Sequence, residues 1–315
     1  MIHIFGVSST AIYDIFKSAA ATVDGVSVLD IQGLNDFLKY AGDRTGAIYL
    51  LGCDFAPFEK GMMRLFSDGL AFRGMGRFAT RGLICCDLAK ASWQRFLTNE
   101  ELVPRFFNKI YALDLPHPSL VPALPGAEAQ HWGYLTGLPI EQYLHPEQIS
   151  KDRFKLFTFA GNVEDYPLRR EALARITALP QQIEVFRNPG ANAIQVRLEN
   201  PYANYIDFLM HSAVTLNFSQ SIVDLDGRAP MHVKGRFWEC LATGTVLMEE
   251  KNPMLDCLGL DAPVLNFAEI EQIPALLADF FAGQDLDGLI ARKRERIAQC
   301  RPLFQNRRFF AQLQA

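Results

Sequence analysis

The stretch HVKGRFWECLATGTVLMEEKNP, His232 to Pro253, gathers the residues best suited to chemistry. On a helix from about Val233 to Thr243, His232, Arg236, Glu239 and Thr243 recur at spacings of three and four and share one face. Phe237, Cys240 and Leu241 pack on the other side, and Gly244 is placed to end the helix before the apolar strand TVLMEE. Any surface helix has a polar face, and Arg236 with Glu239 could be no more than an i,i+3 ion pair. The context says more. The helix follows an apolar strand and a long polar loop, SQSIVDLDGRAPMH, so its N-terminus belongs at the ligand-binding edge of a sheet. Backbone N–H groups at such a terminus suit phosphate oxygens, and Lys234 and Arg236 add positive charge. Glu239, one to two turns in, can accept hydrogen bonds from both hydroxyls of a ribose cis-diol. Amides, cations and a carboxylate together fit a nucleoside diphosphate.

The elements that must position these residues are legible on both sides. In the first half the short apolar runs IHIFG, VSVLDI, AIYLLGCD, GLICCD and KIYALD are bounded by Gly, Asp or Pro and alternate with helical patterns such as TAIYDIFKSAAATV. Such alternation predicts βαβ units around a parallel sheet. Pro and Gly then accumulate from Pro116 to Pro146, an irregular crossing. Alternation restarts with FKLFTFAG as a strand and PLRREALARITAL as a helix, with Pro167 in its first turn. QIEVFRN, YANYIDFLMHS, VTLNFS, TVLMEE and APVLNF continue it, and the chain finishes in helices. The expected architecture is two Rossmann-like doubly wound domains facing a cleft. Residues 1–150 form the first, and residues 151–315 the second, whose last helices pack back towards the first.

Composition narrows the class. The 315 residues are 49% hydrophobic and 21% charged with a net charge of −4, values of a folded chain and not of a basic nucleic-acid binder. The start, MIHIFGVSST, does not read as a signal peptide, and no apolar run approaches the ~18 residues of a membrane span. Six scattered cysteines suit reduced core thiols, so the expected location is the cytoplasm. NFS at Asn217 has the form of a glycosylation sequon but reads as a strand end.

KGRFWECLATGTVLMEE resembles the donor-binding segment of GT-B glycosyltransferases, most closely the bacterial CgeB-like, family-4-related group: a helix with Glu, then Ala-x-Gly, then an apolar strand. YIDFLMHSAVTLNFSQ resembles the helix and strand before that motif, and FTFAGNVEDYPLRREALARI the Gly-loop and Arg-bearing helix that open the donor domain. The resemblance covers roughly residues 155–300. It implies that Glu239 holds the nucleotide ribose and that Lys234 and Arg236 approach the phosphates. It also puts the glycosyl phosphate near Gly161 and Asn162, with Arg169 as a further phosphate candidate; Arg187 could line the base pocket.

Where many retaining members carry a second Glu, eight residues before the ribose Glu, this chain has Met231, with Asp226 five residues earlier. The stereochemical outcome is therefore open. An inverting enzyme needs a general base at the acceptor hydroxyl, for which Asp54, Asp87 and His131 are the candidates. DLD at Asp224–Asp226 has the D-x-D form of a metal site, but Asp285–Asp287 repeats it, which shows how little the pattern costs. No metal is expected at the site and no permanently bound cofactor, and neither a Walker A nor a G-x-G-x-x-G loop follows a strand. The basic C-terminal run ARKRERIAQCRPLFQNRRFF is read first as a helix with a solvated face, and second as a peripheral contact with an anionic membrane.

The expectation is a metal-independent GT-B glycosyltransferase. It would move a sugar from a nucleotide-diphosphate donor to a glycan, lipid-linked or protein acceptor, such as a bacterial surface glycan. A nucleotide-sugar 2-epimerase of the same architecture and a catalytically silent nucleotide-sugar-binding protein are the alternatives.

Overall fold

The computed structural model of the chain describes residues 1–8, 10–40, 46–52, 55–85, 96, 106–113, 115–116, 138–161, 163, 167–177, 179, 183–186, 201–218, 232–233, 235–256, 258 and 262–314. Two compact units emerge, one of Met1–Gln142 with Leu303–Ala315, the other of Tyr143–Pro302. Each is a Rossmann-like doubly wound α/β domain built on a five-stranded parallel sheet.

The first domain runs β1 (Ile2–Gly6), α1 (Ala11–Ala20), β2 (Val26–Asp30), α2 (Leu34–Tyr40), β3 (Ala47–Gly52), α3 (Phe55–Ser67), α4 (Gly69–Met75), β4 (Thr80–Cys85) and β5 (Lys109–Ala112). Its strands lie in the order β2-β1-β3-β4-β5. Strands β1 and β3 are buried along their whole length. A parallel sheet needs cover on both faces, which is why these strands read as unbroken apolar runs and not as alternating ones. Helix α1 begins where the Thr10 hydroxyl accepts from the Tyr13 N–H at 3.4 Å. The domain core joins Phe5, Ile48, Leu50, Phe58, Phe78 and Ile110.

The C-terminal helix Asn306–Gln312 belongs to this first domain. Phe309 meets Phe16 edge-on at 5.5 Å. The Tyr49 hydroxyl donates to the Leu313 carbonyl, and the Tyr111 hydroxyl to that of Gln312 at 2.8 Å. The edge of the Tyr49 ring passes Gly82, where a Cβ would fall 2.0 Å from it. The aromatic residues of the basic C-terminal run, Phe304, Phe309 and Phe310, are all buried, while Arg301, Arg307 and Arg308 are exposed. The aromatic side chains of the run are thus packed in the core, and these three arginines face solvent.

The second domain runs β6 (Lys155–Ala160), α5 (Pro167–Thr177), β7 (Ile183–Phe186), α6 (Pro201–Met210), β8 (Ser212–Asn217), α7 (Gly235–Thr243), β9 (Val246–Glu250), β10 (Val264–Phe267), α8 (Ile273–Phe281) and α9 (Leu286–Cys300). Its sheet, β7-β6-β8-β9-β10, repeats the winding of the first. In this 2-1-3-4-5 order the chain turns back between the first and third strands, here β6 and β8, and ligands bind beyond their carboxyl ends.

Helix α7 ends at Gly244, whose φ of 64° is left-handed and favours glycine. A Cβ there would also fall 2.6 Å from the Lys293 carbonyl, so the same glycine lets α9 pack closely. Lys293, on α9, is buried; its ammonium donates to the Ser212 carbonyl and to Thr245 Oγ1, each at 2.7 Å. Burial holds its pKa well below that of an ordinary lysine. Of the two D-x-D patterns, Asp285–Asp287 is structural: Asp285 caps α9 through the Gly288 N–H at 2.7 Å, and Asp287 pairs with Lys151 at 2.8 Å.

Candidate functional site

The site grows from the first turn of α7 against the carboxyl end of β6. Arg236, half-buried, extends its guanidinium to the Ala160 carbonyl, the last of β6. The next residue, Gly161, has a φ of 149°, a conformation that side chains rarely adopt, and it lets the backbone turn away from the strand without a Cβ. Arg169, in the first turns of α5, brings its guanidinium within 3.7 Å of where a Gly161 Cβ would stand. Two arginines thus flank the glycine turn at the switch point, and the leading N–H groups of α7 have no partners within their own helix. Such an arrangement attracts a multiply charged anion.

One turn further along α7, Glu239 is buried. Its Oε1 accepts from the Tyr202 hydroxyl and its Oε2 from that of Tyr205, both at 3.0 Å. The Arg236 Cζ lies 5.8 Å from the centre of the Tyr205 ring, within cation–π range. Burial raises the Glu239 carboxyl above its usual pKa; the Arg236 charge and the Tyr205 and Tyr202 hydrogen bonds pull the other way. Burial and the neighbouring carboxylate push both phenols well above their ordinary range, so they remain neutral donors. Burial also drives the Cys240 thiol far up, which leaves it an inert core residue.

Of the sequence-predicted residues, Gly161, Arg169, Arg236 and Glu239 come together at this edge. Asn162, Arg187 and Lys234 lie outside the described residues, as do Asp54, Asp87 and His131, and also Asp226 and Met231.

The expected helix face needs correction. His232 belongs to a two-residue strand, His232–Val233, ahead of a helix that starts at Gly235, so it does not share the face of Arg236 and Glu239. Nor is that face solvated: every residue from Phe237 to Thr243 is buried, because α6 and α9 pack on the helix. The Thr243 hydroxyl donates to the Glu239 carbonyl at 2.8 Å and lies 2.9 Å from the Thr245 hydroxyl.

Two features escaped the sequence. Tyr202 and Tyr205 stand three apart on α6, and only the packing of α6 on α7 gives that spacing a meaning. Asn217, the last residue of β8, donates to Glu249 Oε1 at 3.0 Å across paired strand ends, and both residues are buried. An Asn217 engaged in this way is a strand-end tie and no glycan acceptor. The polar ending of TVLMEE was its visible signal. A surface hollow of about 600 Å³ lined by Asn35, Arg64, Asp68 and Arg73 belongs to the first domain and holds none of the residues named above.

No family model and no curated protein matches this sequence. Among solved structures, the chain is similar over its whole length to the glycosyltransferase SsfS6 of Streptomyces sp. SF2575, solved with thymidine diphosphate. The identity is 12% and the TM-score 0.42, with 99% of that chain covered. A second likeness is to AviGT4, a glycosyltransferase involved in avilamycin A biosynthesis, at 11% identity and a TM-score of 0.33, over 98% of each chain. Likenesses this distant carry no argument about activity.

Proposed function

We propose that the chain is a glycosyltransferase of the GT-B type that takes its sugar from a nucleotide-diphosphate donor bound by the second domain. The observation that carries this reading is the pairing of Arg236 and Glu239 on one helix at the switch point, a cation at the glycine turn and a held carboxylate one turn away. The diphosphate would lie against Gly161, Arg169, Arg236 and the α7 N-terminus, with Lys234 and Asn162 as further contacts, and the ribose diol on Glu239. Arg187 is kept as a base-side candidate. Stabilisation of the departing diphosphate by arginines and helix amides is the chemistry this set can supply without a metal ion. The acceptor falls to the first domain, with Asp54, Asp87 and His131 as candidates for activating its hydroxyl. A glycan, lipid-linked or protein acceptor is proposed, with the enzyme in the cytoplasm. Among the described residues no helix is long and apolar enough to cross a membrane. A peripheral contact with an anionic surface is proposed through the exposed Arg301, Arg307 and Arg308.

The test is to incubate the protein with UDP-, GDP-, CDP-, dTDP- and ADP-sugars, with and without an acceptor mixture, in the presence and absence of a chelator. Acceptor-dependent release of one nucleoside diphosphate, unaffected by the chelator and lost in Arg236→Ala, supports the proposal. Conversion of the donor sugar with no acceptor added would support the 2-epimerase reading, and binding without turnover the silent one.

A further inference from the structure

A carboxylate offers about four acceptor directions, two on each oxygen. In Glu239 the Tyr202 hydroxyl takes one on Oε1 and the Tyr205 hydroxyl one on Oε2, each at 3.0 Å. A buried carboxylate with no such donors is driven towards its neutral form, in which one oxygen becomes a donor and the symmetric acceptor pair is lost. The two tyrosines share a face of α6, and the Tyr205 ring also lies under Arg236. Tyr202 in turn meets Tyr143 edge-on, with ring centres 5.5 Å apart. The buried Tyr143 hydroxyl finds no partner among the described residues.

We propose that Tyr202 and Tyr205 are positioning residues that hold Glu239 in one orientation as a carboxylate and leave one acceptor direction on each of its oxygens for a vicinal diol. The diol is that of the nucleotide ribose, so this part rests on the donor-site reading above; the holding of the carboxylate does not. Among the described residues, the titratable groups facing Glu239 are Arg236 and Cys240 from its own helix, Tyr202 and Tyr205 from α6 and, behind Tyr202, Tyr143. Of these only Arg236 carries charge at neutral pH.

The sign follows from linkage. A carboxyl whose folded pKa is raised above its unfolded value contributes stability at low pH that is lost as pH rises through the folded pKa. Removing two donors to the carboxylate raises that pKa further and enlarges the loss. Melting temperatures are therefore measured in the ligand-free protein from pH 5 to 9 for the wild type, Tyr202→Phe/Tyr205→Phe, Glu239→Gln and the triple variant. The gap between wild type and the double variant should widen with pH, and the widening should vanish in the Glu239→Gln background. A gap that is constant with pH, or that widens equally without the carboxylate, overturns the proposal. The same proteins are then titrated with UDP, GDP, CDP, dTDP and ADP. The double variant should bind the responding nucleotide at least about tenfold more weakly at pH 7, and wild-type affinity there overturns the proposed ribose contact. If the gap widens as stated but none of these nucleotides binds even the wild type, the positioning of Glu239 stands and the donor-site reading fails.

Discussion

At the scale of single residues, the site combines groups that water would otherwise keep apart. Glu239 is a buried acid whose carboxyl burial raises above its usual pKa, while the Arg236 charge and the Tyr205 and Tyr202 hydroxyls pull the other way. The hydroxyl of Tyr143, behind them, finds no partner among the described residues, and a buried hydroxyl in that state costs about 1–3 kcal/mol. Tyr143→Phe removes the hydroxyl and keeps the ring against Tyr202. It should therefore leave the ligand-free protein equally stable or more stable by about 1 kcal/mol, read as the urea unfolding midpoint. A clear loss would mean that the hydroxyl has a stabilising partner. Arg236 and Glu239 were visible in the sequence because a spacing of three on a short helix suffices to pair them. Tyr202 and Tyr205 were not, because PYANYIDFLMHS reads as an ordinary amphipathic helix until α6 is laid against α7.

At the scale of elements, the strands were readable because buried parallel strands are short apolar runs ended by Gly, Asp or Asn, as in IHIFG, FKLFTFAG and VTLNFS. What the sequence could not reveal is how α7 is covered. A polar stripe looks solvated in one dimension, whereas here α6 and α9 enclose it and its polar atoms are used internally. His232 was misplaced for a related reason: the short strand His232–Val233 ends the loop two residues before the helix begins. A tight joint beside the site is Gly244, which is left-handed and where a Cβ would fall 2.6 Å from the Lys293 carbonyl. Gly244→Ala should cost at least about 2 kcal/mol, combining the left-handed penalty with displacement of α9. The check is again the urea midpoint, with a loss of nucleotide-induced stabilisation expected alongside, because α7 carries both Arg236 and Glu239. An unchanged midpoint would show that α9 moves freely.

At the scale of the molecule, two domains share the winding 2-1-3-4-5, and the chain's last residues complete the first of them. The strand order does not follow from local patterns, since it depends on which helix covers which face; the last helices were expected to pack back towards the first domain, and residues 303–315 are counted with its core. The return is substantial: Phe304, Phe309, Phe310 and Leu313 are buried, and two tyrosine hydroxyls from the sheet bind the carbonyls of Gln312 and Leu313. Phe310→Ala should destabilise the first domain by about 3–5 kcal/mol, as a large core truncation does, with melting followed by circular dichroism. A change below about 1 kcal/mol would mean that the segment is only loosely attached.

The most direct test of the central claim is a thermal-shift panel of UDP, GDP, CDP, dTDP, ADP and NAD on the wild type and Glu239→Ala. At a ligand concentration of ~100 Kd, one nucleoside diphosphate should stabilise the wild type by about 2.7 kcal/mol and the variant far less. A silent panel, a response to NAD alone, or equal stabilisation of both proteins would contradict the assignment of the α7 edge as a nucleotide-sugar site.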